Sequence, residues 1–185
     1  MNHSETKVTE FNKIPRNIGI SGAYYVDVSL IKLKDFIEDI EKDYKVEMNP
    51  DFQRGHVWTE DQQVKYLEFV LRGGISGKEL YFNSPVFNSK EGEDIDSFKL
   101  VCVDGLQRIT AVYAFLDNKI KVFGSYYKEY TDKPRESDTR FKVYINGLTK
   151  KEELYRWYIE LNEGGTPHSQ EEIDRVRGML LELTK

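Results

Sequence analysis

The run Val101-Cys102-Val103-Asp104-Gly105-Leu106-Gln107-Arg108-Ile109-Thr110 sets an acid, a glycine, an amide and a guanidinium between an apolar strand pattern and an amphipathic helix pattern. The first four N–H groups of a helix lack intrahelical partners, and the macrodipole adds roughly +0.5 charge at that end, so it attracts anions. Arg108 lies about one turn in, and a planar guanidinium fork suits phosphate. The same residues carry a second reading. Asp104 followed three positions later by Gln107 is a capping-box variant, worth about 1 kcal/mol to a helix with no ligand at all. Gly105 then serves only to let strand and helix approach.

The elements that must position these residues follow from periodicity. Tyr24–Val28 reads as a strand, and Ser29 caps a helix whose Leu30, Leu33, Phe36, Ile37 and Ile40 share one face. Tyr44–Met48 alternates as a strand. Asn49–Gly55 is an irregular segment rich in breakers. Thr59-x-x-Gln62 caps a helix over Glu60–Arg72, which Gly73-Gly74 ends. Leu80–Phe82, Val86–Phe87, Phe98–Val103, Lys119–Phe123 and Phe141–Ile145 read as strands, with a helix over Leu106–Asn118. Acidic Lys90–Ser97 and charged Ser125–Thr139 read as loops. Thr149-x-x-Glu152 and Ser169-x-x-Glu172 cap two closing helices, separated by Gly164-Gly165-Thr166-Pro167. This mixture predicts an α+β (mixed α/β) class in a single domain. Residues 1–22 form a polar leader and 23–185 the domain.

At 185 residues, with 39% apolar and 13% aromatic residues, the chain can bury a real core. The net charge of −5 gives no global basic signature, so DNA contact requires a local patch. Lys119, Lys121, Lys128, Lys133 and Arg135 are the densest basic neighbourhood, and a solvated loop explains them equally well. The twelve tyrosines read as core-and-rim packing rather than a stacking surface. Cys102 is the lone cysteine and reads as a buried, inert thiol. His3, His56 and His168 lack zinc-site spacing. No apolar run is long enough to span a membrane and no signal-peptide pattern opens the chain, so the expected location is cytoplasmic.

Three segments, in order, resemble the N-terminal domain of GmrSD-type modification-dependent restriction enzymes. Asn49-Pro50-Asp51-Phe52-Gln53-Arg54-Gly55-His56-Val57-Trp58 resembles its PxFQRxxVW segment, Asp104–Thr110 its DGQQRxT motif, and Leu161-Asn162-Glu163-Gly164-Gly165-Thr166-Pro167 its LNxGGTPL segment. The resemblance implies a ParB/sulfiredoxin-like domain with a small mixed sheet and flanking helices. It also implies a site for a nucleoside triphosphate, with weak NTPase activity linked to DNA restriction or counter-restriction. Carried onto this sequence, the catalytic candidates are Asp104, Gln107 and Arg108. The nucleotide-binding candidates are Gln53, Arg54, Gly105, Arg108, Thr110, Asn162, Gly164, Gly165 and Thr166. Asp104 is the candidate ligand for Mg²⁺, and DNA or a restriction or defence protein is the expected partner.

Two departures stand out. Leu106 replaces the motif's first Gln, which puts hydrolysis in doubt, and His168 replaces the Leu after Gly-Gly-Thr-Pro. Full-length members of the family carry a further nuclease region with histidine-based metal chemistry, and no such cluster is present in these residues. A non-catalytic interaction module that keeps the fold is therefore the alternative to an NTPase, and a ParB-like nuclease acting alone is a third reading.

Overall fold

Alternation of burial builds the sheet. In the strand Arg140–Asn146, here called β5, Phe141, Val143 and Ile145 are buried while Arg140 and Lys142 are exposed. Period two sends successive side chains to opposite faces, and the same logic holds in β3 (Glu79–Asn83), where Leu80 and Phe82 are buried. The computed structural model describes residues 9–14, 18, 24–53, 55, 57–88, 92–163 and 170–184. Its other strands are β1 (Tyr24–Ser29), β2 (Lys45–Glu47) and β4 (Lys99–Asp104). Its α-helices are α1 (Leu33–Glu41), α2 (Glu60–Leu71), α3 (Leu106–Leu116), α4 (Lys151–Glu163) and α5 (Gln170–Leu183).

The five strands lie in the order β1-β5-β3-β4-β2. β1 and β5 are antiparallel, as are β3 and β4, whereas β5 runs parallel to β3 and β2 parallel to β4. One face carries Val28, Leu80, Phe82, Leu100, Cys102, Phe141, Val143 and Ile145 against Leu33 and Ile37 of α1, Leu67 and Val70 of α2, and Ile109, Val112 and Phe115 of α3. On the other face, Val101 and Val103 of β4 meet Leu154, Tyr155, Trp157 and Tyr158 of α4 and Ile173 and Val176 of α5. β4 is thus covered on both faces, which accounts for its continuous apolar run rather than an alternating one. The chain is a single α+β domain with a mixed sheet and flanking helices.

Across the sheet, Tyr25, Tyr144 and Tyr81 occupy one register row. Tyr81 and Tyr144 stack at 5.3 Å between ring centroids, and Trp157 meets Tyr81 edge-on at 6.0 Å. Rings stacked on one another hold their faces against neighbours, which is packing of the kind expected from the composition.

Most elements fall where periodicity puts them, and the capping box of α2 is present, Thr59 Oγ1 accepting from Gln62 N–H and Gln62 Oε1 from Thr59 N–H. Several expectations need correction. Ser29 makes no side-chain cap, and a 3-10 turn over Leu30–Lys32 precedes α1. Val86–Phe87 lies in a 3-10 turn, Pro85–Asn88, because proline opens it and cannot donate to a ladder. Lys119–Phe123 is not a strand; it contributes one isolated bridge, Val122 to Ser125. There the chain folds tightly back, with Asn118, Phe123 and Gly124 all at positive φ, while Ile120 and Val122 turn into the core. Ahead of α4, the Lys151 N–H donates to Asp94 of the acidic loop at 2.7 Å, and the Thr149 hydroxyl bonds Glu93. Ser169 lies outside the described residues. The side chain of Glu172 is buried and accepts a hydrogen bond from the Tyr158 hydroxyl at 2.8 Å.

Candidate phosphate site at the β4–α3 turn

Asp104 ends β4, and the Gly105 backbone turns directly into α3. Gly105 sits at φ +129°, and a Cβ placed there would come within 2.6 Å of Leu80 Cδ2. Both the left-handed backbone and the close approach of the adjacent strand therefore demand glycine. Gly105 is the N-cap of α3, and a glycine has no side chain with which to cap the helix. The capping-box reading of Asp104 and Gln107 is thereby overturned: Asp104 is still within the strand, one residue too early to reach the first-turn N–H groups.

The two side chains are used differently. Asp104 accepts from Arg108 Nη2 at 2.6 Å, with both side chains largely shielded from solvent. Arg108 Nε is buried and has no hydrogen-bond partner among the described residues. Burial works against the guanidinium charge, but the Asp104 carboxylate outweighs it and holds the Arg108 pKa above its ordinary value. Tyr66 of α2 lies nearby, its hydroxyl donating to the Gly77 carbonyl at 2.7 Å and its ring meeting Trp58 edge-on at 5.2 Å. Burial pushes the Tyr66 phenol up, so it stays neutral beside Arg108.

Gln107 faces the 55–58 loop. Its Oε1 accepts from the Val57 and Trp58 N–H groups at 3.0 and 3.1 Å, and its Nε2 donates to the Gly55 carbonyl at 2.8 Å. The loop is thus tied at Gly55, Val57 and Trp58 to the first turn of α3 by one side chain. Gln53 ties the same loop to β4. Its Nε2 donates to the Cys102 and Val103 carbonyls at 2.6 and 2.9 Å, where β4 runs past Val101, the last residue paired with β2. Phe52 is the loop's core anchor, buried against Tyr155 and Tyr158. The Thr110 hydroxyl donates to the Leu106 carbonyl one turn back. Asn162 is buried in the last turn of α4, its Nδ2 donating to the Tyr158 carbonyl at 2.6 Å. Arg54, His56, Gly164, Gly165, Thr166 and His168 lie outside the described residues.

The structure therefore gathers Asp104, Gly105, Gln107 and Arg108 with Gln53 around the C-terminal end of β4. Leu106, where the resembling motif has Gln, packs against the core. Cys102 is fully buried, and burial pushes its thiol up, which leaves it unreactive. Two residues with no signal in the motifs also build the site. Tyr66 is the aromatic neighbour of Arg108, and Arg175 of α5 donates to the Asp51 and Phe52 carbonyls at 2.9 and 2.6 Å. Nothing in the spacing of α5 singles out Arg175 from its other charged residues.

The family model described as the GmrSD restriction endonuclease, N-terminal domain, matches residues 33–151. The chain belongs to this family. No curated protein and no solved structure matches it significantly. The GmrSD N-terminal match contains both the loop with Gln53 and the turn with Asp104–Arg108, the two segments that the structure brings together; the Leu161–Pro167 segment lies beyond it. The domain thus belongs to a family associated with restriction. Among the described residues, no helix is long and apolar enough to cross a membrane, and no group of three or more His, Cys, Asp or Glu is placed to hold a metal ion.

Of the basic neighbourhood, Lys119 pairs with Asp117, and Lys121 and Lys128 both approach the Tyr126 ring, at 5.0 and 6.0 Å. Lys133 and Arg135 are exposed on the loop before β5.

Proposed function

We propose that this GmrSD-type domain binds the phosphates of a nucleoside triphosphate at the N-terminus of α3, as part of a restriction or counter-restriction system. The observation that carries the reading is Arg108. It is a charged, shielded guanidinium at the first turn of a helix whose N-cap is a glycine, and its Nε has no partner among the described residues. A buried donor left unpaired costs about 1–3 kcal/mol, so such groups call for an explanation, and an anion entering beside it supplies one. Arg108 and the α3 N–H groups contact phosphate, Asp104 orients Arg108, and Gln107 and Gln53 hold the loop that borders the site. Arg54, Gly164, Gly165 and Thr166 complete it by the family pattern.

Mg²⁺ enters with the triphosphate. It keeps several waters and takes one or two carboxylates besides phosphate oxygens. Asp104 supplies one carboxylate, already shared with Arg108, which fits a metal brought by the ligand better than a resident one.

A second reading, a binding module without turnover, draws on two observations. Leu106 packs into the core where an amide could have faced the ligand, and the Gln107 side chain is bonded to loop backbone on both its oxygen and its nitrogen. Thermal unfolding with each common nucleoside triphosphate, with and without Mg²⁺, tests the shared claim. A ligand at 100 times its Kd adds about 2.7 kcal/mol of stability. Arg108→Ala is expected to remove that shift while remaining folded; an undiminished shift in the folded variant overturns the reading. Phosphate release by the wild type separates enzyme from module.

A further inference from the structure

The two edges of the sheet are built differently. β2 is three residues long, and shortness is one of the ordinary ways of blunting an edge. β1 has six residues, Tyr-Tyr-Val-Asp-Val-Ser, in unbroken register with β5 from Tyr24 opposite Ile145 to Ser29 opposite Arg140. It contains no proline, lysine or bulge, and its aromatic and β-branched residues favour extended backbone. Among the described residues, no strand pairs with its outer edge. Such an edge is a template for another strand.

A cleft of about 470 Å³ runs beside it, lined by the four consecutive residues Val26–Ser29, by α1, and by Glu136 and Arg140. Consecutive strand residues point to opposite faces, and the cleft touches four of them in a row, so the β1 backbone forms part of its wall. Its lining is acidic: Asp27, Asp35, Asp39 and Glu136 against Lys32 and Arg140. Lys32 is paired with Asp35 and Arg140 with Glu136, while Asp39 draws Lys42 from outside the cleft. Asp27 is without an ion-pair partner among the described residues.

We propose that the outer edge of β1 docks an extended basic segment of a partner protein, which adds to the sheet as a further strand. Main-chain hydrogen bonds along β1 provide the attachment, and cationic side chains at alternate positions meet Asp35 and Asp39. A second copy of this chain is a poorer occupant. Antiparallel pairing of two β1 strands brings two acidic clefts together, and like charges brought close across a sheet destabilise it. Each copy also carries a net charge of −5.

The probe is a labelled peptide, Lys-Val-Lys-Val-Lys-Val-Lys, titrated against the full chain by fluorescence anisotropy, with hydrogen exchange of residues 24–29 as the second readout. Saturable binding with slowed exchange of the β1 amides is expected. Replacing Lys by Glu in the peptide, or N-methylating its alternate amides, should abolish it. The double variant Asp35→Lys, Asp39→Lys, both positions being exposed, should weaken it about tenfold. If that variant folds poorly, salt titration of the wild type reads the same charge dependence. Equal binding of the N-methylated peptide, failure of the basic peptide to bind, or unchanged exchange at β1 overturns the proposal. So does a dimer that protects β1 without peptide.

Discussion

Arg175 on the last helix donates through Nη2 to the Phe52 carbonyl at 2.6 Å, across 123 residues of chain. The arginine lies outside the span that the family model matches, and the carbonyl lies inside it, one residue before Gln53. The C-terminal helix thus sets the position of the loop that borders the candidate site. Arg175→Gln is expected to cost about 1–2 kcal/mol, since two bonds from a charged donor to backbone are lost at a partly exposed position. Faster hydrogen exchange at residues 51–58, with α1–α3 unchanged, is the accompanying signature.

Gln107 fastens the other end of that loop. Gln107→Ala removes three hydrogen bonds, and a loss of about 1–2 kcal/mol in urea unfolding is expected, since water can replace part of what is lost at the exposed Val57. Gln107→Glu should be as damaging despite its shape, because an oxygen then faces the Gly55 carbonyl. A Glu variant as stable as wild type would show that the Nε2 bond contributes nothing.

Gly105→Ala tests the turn itself. The substituted Cβ meets Leu80 Cδ2 at 2.6 Å on a backbone at φ +129°, so strain and overpacking act together. The expected cost is about 2–4 kcal/mol. A substitution at the open, positive-φ Gly73, with nothing within 4 Å of its Cβ, serves as the control and should cost less.

Leu106→Gln restores the amide found in the family's motif. It removes an apolar side chain from the core edge, so a loss of roughly 1–2 kcal/mol in stability is expected. If the site turns over nucleotide, phosphate release should rise while nucleotide affinity stays nearly constant, the pattern of an interaction made in the transition state. Steady-state kinetics beside calorimetric affinity distinguishes the two effects.

Stability should fall on the alkaline side. Burial pushes the phenols of Tyr66, Tyr113 and Tyr158 up, and that of Tyr155 up to about 12. A group whose folded pKa exceeds its unfolded value, near 10 for tyrosine, stabilises fully below the unfolded value and loses that contribution as pH rises through the folded one. Urea midpoints should therefore hold to about pH 10 and decline toward pH 12. Phenolate absorbance should appear in two phases, the exposed tyrosines first.

Much of this protein was legible in its sequence. The capping box before α2, the alternation in β3 and β5, the uniformly apolar β4 and the strand-turn-helix at Gly105 all rest on local rules, because neighbouring residues decide backbone conformation and face. The family motifs named Asp104, Gly105, Gln107 and Arg108 as one group. Sequence could not tell how that group divides its work. Asp104 and Gln107 have capping-box spacing, yet Asp104 still belongs to β4 and Gly105 is the N-cap of α3, where Leu80 of a distant segment leaves no room for a Cβ. Gln107 then turns to loop backbone about 50 residues away and Asp104 to Arg108. Lys119–Phe123 has strand residues but, among the described residues, pairs only through the Val122–Ser125 bridge, and the N-terminal end of α4 takes its acid from Asp94 on another loop. In each case a local preference of about 1 kcal/mol yielded to burial and hydrogen bonding between segments far apart in the chain, which only the folded arrangement decides.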